Sequence, residues 1–92
     1  MRGLEVQLNG KTLCTAGVAE PDAVLNAIVN IIGRRQADYD MHIRVGGMEK
    51  NEFLIWTTTR LTVGDEITIR VVEAPSMDPP SQRKANSPPA QT

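Results

Sequence analysis

Cysteine, histidine and aromatic residues are all scarce in this chain. Its 92 residues include one cysteine, one histidine and one each of Phe, Trp and Tyr. A lone cysteine excludes an internal disulfide and fits a reducing cytoplasm, which is the compartment we expect. A lone histidine excludes a histidine-rich metal centre, and there is no second cysteine to build a thiolate cluster. We therefore expect neither a metal nor another cofactor.

Long apolar runs and an excess of either charge are also missing. The formal net charge is −1, from 10 Lys and Arg against 11 Asp and Glu. A chain built to hold nucleic acid would carry a strongly basic patch, so we expect no nucleic-acid partner. No apolar run approaches the roughly 20 residues that a membrane-spanning helix needs, and the first residues lack the apolar core of a secretory signal. A membrane partner is therefore not expected either.

Proline is rare in the first 74 residues and common afterwards. Pro21 is the one proline before Ala74. The others are Pro75, Pro79, Pro80, Pro88 and Pro89. The segment that contains them is rich in Pro, Ser, Gln and Asn, and it cannot bury enough apolar surface to offset the entropy of ordering it. The sequence therefore predicts a folded domain over residues 1–74 and a flexible, Pro/Ser-rich tail over residues 75–92.

A hairpin is predicted at the start of the chain. Leu4, Val6 and Leu8 alternate with polar residues, which is the period of a half-buried strand. Asn9-Gly10 follows, and both residues tolerate the positive φ angles that a two-residue type I′ turn requires. Residues 11–16 then form the returning strand.

One helix is predicted over residues 21–32. Pro21 suits a first helical turn, Asp22 complements the positive end of the helix dipole, and Gly33 is placed to terminate the helix. Its apolar side chains form a broad stripe made of Val24, Leu25, Ile28, Val29, Ile31 and Ile32. Many of these side chains are β-branched and have mediocre helix propensity, so burial against a sheet has to hold the helix in place.

Three further strands are predicted in the second half of the chain. They cover residues 41–45, 53–59 and 67–72. Gly46-Gly47 is expected to end the first of them, and Gly64-Asp65 marks the turn into the last. Trp56, on the second of these strands, is expected to be buried.

This order of elements predicts an α+β fold. One helix would cross one face of a mixed, four- to five-stranded sheet in the order ββαβββ. The first and last strands would pair in parallel at the centre of that sheet. A ferredoxin-like or other small α+β sandwich is the alternative, which the presence of a single helix disfavours.

The ordered residues resemble the ubiquitin-like β-grasp superfamily. The run LEVQLNGKTL at residues 4–13, the helix, and VGDEITI at residues 63–69 are closest in element order to the small sulfur carriers of thiamine and molybdopterin biosynthesis. In carriers and modifiers, the resemblance implies a C-terminal Gly-Gly that an adenylating enzyme activates. This chain has Ala74-Pro75-Ser76 where those glycines would follow the last strand, so it lacks that Gly-Gly. A divergent sulfur carrier or ubiquitin-like modifier is therefore the alternative function.

No catalytic residue is predicted. Cys14 and His42 could pair as nucleophile and base, but no third group that orients them can be placed from the sequence. Cys14 is more simply a small buried hydrophobe. Asp65 and Glu66 are adjacent on an extended segment and point to opposite faces, so they cannot share a proton. We therefore expect a protein that is not an enzyme.

A binding surface is predicted on the sheet face opposite the helix. The residues expected there are Glu5, Gln7, His42, Arg44, Thr68, Arg70 and Val72. Such a mixture of basic, polar and aliphatic groups suits protein docking, and ubiquitin also uses its open sheet face for its partners. The sequence therefore predicts a non-enzymatic protein-interaction module, such as an adaptor, inhibitor or small regulatory subunit. A homo-oligomer through an exposed edge strand, residues 11–16 or 53–59, is left open.

Overall fold

The protein is an all-β sandwich. The computed structural model describes residues 1–33 and 39–85. Its strands are β1 (Arg2–Leu8), β2 (Lys11–Val18), β3 (Val24–Gly33), β4 (Tyr39–Glu49), β5 (Glu52–Arg60), β6 (Ile67–Glu73) and β7 (Gln82–Ala85). These described residues contain no helix, so the prediction of an α+β, ubiquitin-like β-grasp fold is wrong. It follows that no helix in the described part of the chain could cross a membrane.

The strands form two antiparallel sheets. The three-stranded sheet has the order β2-β1-β6, and the four-stranded sheet has the order β3-β4-β5-β7. The first strand does neighbour the strand predicted at residues 67–72, because β1 pairs with β6 along its whole length. The predicted parallel direction and central position of that strand are wrong, since the pair is antiparallel and β6 lies at an edge.

The predicted hairpin is confirmed. β1 and β2 are joined by Asn9 and Gly10, whose φ angles of 52° and 81° are those of a type I′ turn. The Asn9 side chain also links this turn to the one before β6. Its Nδ2 donates to Asp65 Oδ1 at 2.9 Å, and its Oδ1 accepts the Glu66 N–H at 2.9 Å.

The segment predicted as a helix is the strand β3. Asp22 has a φ of 66°, which a helical first turn does not allow, and the Ala23 N–H donates to the Glu20 carbonyl in a tight turn. From Val24 onwards the chain pairs residue by residue with β4. Apolar residues occupy both faces of this strand, so they also fit a helical stripe. Their β-branched side chains favour the extended form.

The strands predicted at residues 41–45 and 53–59 are confirmed as parts of β4 and β5. β4, however, continues through Gly46-Gly47 to its hairpin with β5, so the prediction that these glycines end the strand is wrong. The register between β4 and β5 shifts after Val45, which leaves Trp56 without a direct partner on β4. The glycine pair therefore lies inside a sheet, beside a β-bulge.

One hydrophobic core lies between the two sheets. Its buried side chains are Val6, Cys14, Ala16, Ile43, Val45, Leu54, Trp56 and Leu61. The predicted burial of Cys14 and Trp56 is confirmed, since they are 5% and 7% exposed. Successive side chains of a strand point to opposite faces, so the residues that alternate with this core lie on the outer face of each sheet.

Asp78, within the segment predicted as a tail, joins the two sheets. Its N–H donates to the Thr15 carbonyl at 3.0 Å, and its Oδ2 accepts the Thr15 N–H at 2.8 Å. Trp56 Nε1 donates to the Asp78 carbonyl at 2.8 Å. Asp78 therefore occupies part of the free edge of β2 while it satisfies the indole of a core side chain.

The chain then adds a strand that the sequence did not predict. The Ser81 N–H donates to the Ile55 carbonyl at 2.8 Å, and β7 pairs with the first half of β5. The boundary at residue 74 and the flexibility of residues 75–92 stay predictions. Residues 86–92 of that segment lie outside the described residues.

The resemblance to ubiquitin-like carriers does not extend to the fold. In a β-grasp a helix crosses a mixed sheet, whereas the residues of the expected helix here form an edge strand and all strand pairs of the described chain are antiparallel. The resemblance rested on the hairpin, the expected helix and the Gly-Asp turn. The helix is not present among the described residues, and the other two features also occur in antiparallel sandwiches.

Candidate functional site

The seven residues predicted to share one binding face lie on two faces. The outer face of the three-stranded sheet carries Glu5, Gln7, Thr68, Arg70 and Val72. The outer face of the four-stranded sheet carries His42 and Arg44, which alternate with the buried Ile43 and Val45. The core separates these two outer faces, so the seven residues do not form one contact surface. The error follows from the single sheet that was predicted.

The outer face of the three-stranded sheet is polar and internally paired. Glu5 lies directly opposite Arg70, and Arg70 Nη1 is 3.6 Å from Glu5 Oε1. Gln7 lies opposite Thr68 on the same strands. Further along, Met77 places its sulfur against Gly17, where any Cβ would overlap it. The one basic residue of the predicted set on this face is therefore already paired with an acid.

His42 is held by neighbours on the outer face of the four-stranded sheet. Asn30, directly opposite on β3, donates from Nδ2 to His42 Nε2 at 3.3 Å. His42 Nδ1 is 3.4 Å from Asp40 Oδ1. Cys14 faces the core from the other sheet. The structure therefore does not bring Cys14 and His42 together as a nucleophile and its base.

A groove that the sequence did not predict crosses the outer face of the four-stranded sheet. Its volume is about 490 Å³. Cross-strand partners lie side by side, so its lining falls into three rows. The floor row is Asn26, Gly46, Ile55 and Gln82, and the flanking rows are Val24, Met48, Phe53 and Lys84 on one side and Ile28 and Arg44 on the other. The groove thus runs across the strands, from β3 at one edge to β7 at the other.

Two glycines make this groove possible. Gly46 contributes no side chain to the floor row, and a Cβ there would stand 2.7 Å from the Leu54 carbonyl oxygen. A Cβ on Gly47 would overlap the Val24 carbonyl of β3. A larger residue at Gly46 would therefore fill the floor, and one at Gly47 would push β3 away from β4. The walls remain open to solvent, since Val24 is 49% exposed and Phe53 is 45% exposed.

The charged groups around this groove are positive. Arg44 and Lys84 line its rim. Neither side chain forms an ion pair within residues 1–33 and 39–85. Arg83 Nη1, by contrast, lies 3.5 Å from Glu49 Oε2 on β4 and 3.2 Å from Glu52 Oε1 on β5. The cations at the groove are therefore available to a bound partner.

The shifted pKa values lie away from the groove. Burial raises the pKa of the Cys14 thiol to about 11, and the negative charge of Asp78 adds to this effect. Hydrogen bonds from the Asn9 amide and the Thr62 N–H lower the pKa of Asp65. Among the described residues, no three His, Cys, Asp or Glu side chains come together as a possible metal site.

Comparison of the chain with family models, with curated proteins and with solved structures gives no match. The groove itself has one signal in the sequence, which is the pair Gly46-Gly47 inside an apolar, alternating segment. Glycine within a strand marks either a bulge or a place where another backbone approaches closely. Here both occur, and the pair was interpreted as a turn because the continuation of β4 was not predicted.

Proposed function

We propose that this chain is a non-enzymatic protein-interaction module, an adaptor, inhibitor or small regulatory subunit, whose partner contributes a short apolar segment with acidic flanks. The observation that carries this proposal is the groove on the outer face of the four-stranded sheet. Its floor, walls and rim each favour one feature of the partner.

The lining of the groove favours binding over catalysis. It consists of aliphatic, aromatic, amide and cationic residues together with glycine backbone. It includes no acid, histidine, cysteine or hydroxyl side chain that could act as a nucleophile or general base. Ligand sites are typically concave, mostly apolar and roughly 300–1,000 Å³ in volume, a range that includes this groove.

The charge of the rim favours an acidic partner. Arg44 and Lys84 are exposed cations without an ion-pair partner in the described chain, although the whole chain has a net charge of −1. Complementary charge at the edge of an apolar site steers the partner and suppresses incorrect ones. We therefore assign the rim to acidic residues that flank the apolar anchors of the partner.

The compartment that fits this module is a reducing cytosol, because the one thiol is buried and unpaired. The sulfur-carrier alternative depended on a β-grasp fold, and we do not pursue it.

Fluorescence polarisation tests this function with two labelled peptide pools. Both pools carry the same apolar residues at the centre, with Asp and Glu at the flanks of one pool and Lys and Arg at the flanks of the other. The acidic pool should bind at least tenfold more tightly, and added salt should reduce the difference. Equal affinity for the two pools, or tighter binding of a single-stranded oligonucleotide, would contradict the proposal.

Matched variants locate the site. Arg44→Glu combined with Lys84→Glu should reduce the affinity for the acidic pool at least tenfold, because two rim cations become anions. The control is Arg70→Glu, which reverses a similar exposed cation on the outer face of the other sheet. If Arg70→Glu weakens binding as much as the double variant, the groove is not the site.

A further inference from the structure

Among the described strands, β3 is the least protected edge of the sandwich. It lies at the end of the four-stranded sheet, and among the described strands only β4 pairs with it. The ten residues Val24–Gly33 contain no charge and no proline, and their register with β4 has no bulge. Exposed sheet edges in natural proteins usually carry charges, prolines or bulges, because an edge without them can pair with another chain.

The other edges are blocked or charged. Asp78 bonds to the edge of β2 at Thr15, and β7 covers the first half of β5, so the two edges predicted for oligomerisation are each occupied in part. β6 carries Arg70, and β7 carries Arg83 and Lys84. Of the described edges, β3 is therefore the one most open to pairing with another chain.

The side chains of β3 are arranged nearly symmetrically, by chemical type, on either side of Ile28. Ala27 matches Val29, Asn26 matches Asn30, Leu25 matches Ile31, and Val24 matches Ile32. An interface on a two-fold axis must be self-complementary, and two antiparallel copies of one strand meet this condition when the axis passes through a residue. Shifting the centre to Ala27 or Val29 would place asparagine opposite aliphatic residues, so Ile28 is the centre that pairs like with like.

We propose that two copies of this chain associate through β3, antiparallel and centred on Ile28, to form one continuous eight-stranded sheet. The pairing satisfies the free backbone groups of β3 in both copies and sets Asn26 of one copy beside Asn30 of the other. The outer faces of the two four-stranded sheets, with their grooves, then lie on the same side. Each copy has one free β3 edge, and the first contact occupies it. The assembly therefore closes at two copies.

Exposed apolar side chains on the core-facing sides of the two sheets also favour a second copy of this chain as the partner. β2 and β1 both pack against β3, whereas β6, the next strand outward, makes no comparable contact with the four-stranded sheet within the described residues. Val71 on β6 is 78% exposed and Ile31 on β3 is 67% exposed, although both belong to core-facing rows. In the proposed register Ile31 of one copy lies opposite Leu25 of the other, so the overhanging β6 of each copy covers the exposed end of its neighbour's β3.

Light scattering on the full chain over a range of concentrations gives the first test. The mass should rise from one copy to two with increasing concentration and should not rise further. A single copy at every concentration, or continued growth to larger species, would overturn the proposal.

Ile28→Lys tests the position of the axis, because two like charges would then face each other. The dimer should weaken at least tenfold, and Val63→Lys, at a site 92% exposed in a turn outside β3, should leave it unchanged. Trp56 fluorescence reports whether each variant is folded. An unchanged dimer in folded Ile28→Lys would assign the contact to another surface.

Cysteine cross-linking with a short bis-maleimide tests the register independently of the strength of the dimer. Ile28→Cys should cross-link to itself, and Val24→Cys alone should not. A mixture of Val24→Cys with Ile32→Cys should cross-link, because these positions lie opposite each other in the proposed register. Cys14 is buried and serves as the unmodified background in the parent chain. Self-linking of Val24→Cys would indicate parallel pairing and would overturn the proposal.

Discussion

The outer faces of the two sheets differ in what they leave unsatisfied. On the three-stranded sheet, Glu5 and Arg70 form a cross-strand ion pair, the neighbouring Gln7 and Thr68 are polar, and the Met77 side chain covers Gly3 and Gly17. On the four-stranded sheet, a glycine-floored apolar groove lies beneath cations that have no acidic partner in the described chain. The outer face of the three-stranded sheet therefore pairs its charged groups internally. The outer face of the four-stranded sheet leaves an apolar groove and its rim cations open to a partner.

A substitution in the core that the two sheets share should have the largest effect on the free energy of unfolding. Ile43 is fully buried, so Ile43→Ala removes packed atoms and leaves a cavity, which should lower the free energy of unfolding by about 2–5 kcal/mol. Val63→Ala, at an exposed turn, should change it by less than about 0.5 kcal/mol. Urea denaturation followed by Trp56 fluorescence and by circular dichroism measures both variants. Separate transitions by the two probes would contradict a single shared core.

The contact between Trp56 and Asp78 should give the next largest effect. Trp56→Phe removes the indole donor that the Asp78 carbonyl accepts, which should cost about 0.5–1.5 kcal/mol. In a chain shortened to residues 1–74 the same substitution should cost less, because its acceptor is already absent. Thermal unfolding followed by circular dichroism gives the comparison, and an equal cost in both chains would show that the hydrogen bond does not contribute.

Cys14 should be inert in the folded chain and should make stability decline at alkaline pH. With its pKa raised from 9.0 to about 11, the thiolate fraction at a given pH is roughly a hundredfold lower than in the unfolded chain. A raised pKa favours the folded state below pH 9.0, and this contribution is lost as the pH rises towards 11. Labelling with a thiol reagent should be slow until urea unfolds the chain, and Cys14→Ala should flatten the alkaline decline. Equal labelling rates in the two states would contradict the burial.

Asp65 should produce a smaller effect at the acid end. Its pKa is lowered from 3.8 in the folded state by hydrogen bonds from Asn9 and Thr62. The contribution is therefore complete above pH 3.8 and is lost as the pH falls through the folded-state value. Asn9→Gly keeps a residue suited to positive φ but removes the amide, so denaturation midpoints measured below pH 4 should depend less on pH. An unchanged pH dependence would remove Asn9 as the cause.

The ion pair on the three-stranded sheet should give the smallest effect. Arg70→Ala breaks an exposed pair with Glu5 and should cost about 0–1 kcal/mol. Arg44→Ala has no pair to break in the described chain and should leave stability unchanged. A larger loss from Arg44→Ala would mean that the two faces are more alike than their contacts indicate.

Several strands could be predicted from the sequence because their signals are local. The alternation at Leu4, Val6 and Leu8 and the Asn9-Gly10 turn required no information from elsewhere in the chain, and the strand around Trp56 was predicted from its local content of aromatic and β-branched residues. The same approach gave the wrong element for β3, because apolar side chains lie on both faces of this strand. Without alternation, a strand and a helix segment of that length give the same pattern, and β4 decides between them.

The candidate site was predicted only in part. Arg44 was included among the binding residues and does lie at the rim of the groove. His42 lies on the same outer face but outside the groove lining, and the other five predicted residues lie on the other outer face, because the number of sheets sets which strands share a face. The groove depends on Phe53, Ile55 and Gln82 lying beside Gly46, and that arrangement follows from pairings between segments that are distant in the chain.

By itself, the sequence determined the short-range features of this protein: the first hairpin, the burial of Cys14 and Trp56, and the abundance of proline after Ala74. Tertiary structure decided that the apolar segment before Gly33 is an edge strand, that β1 and β6 run antiparallel, and that Asp78 spans the two sheets. The physical reason is that turn geometry and side-chain alternation act over a few residues. Strand order, by contrast, is set by which distant edges find hydrogen-bond partners and which apolar faces are covered.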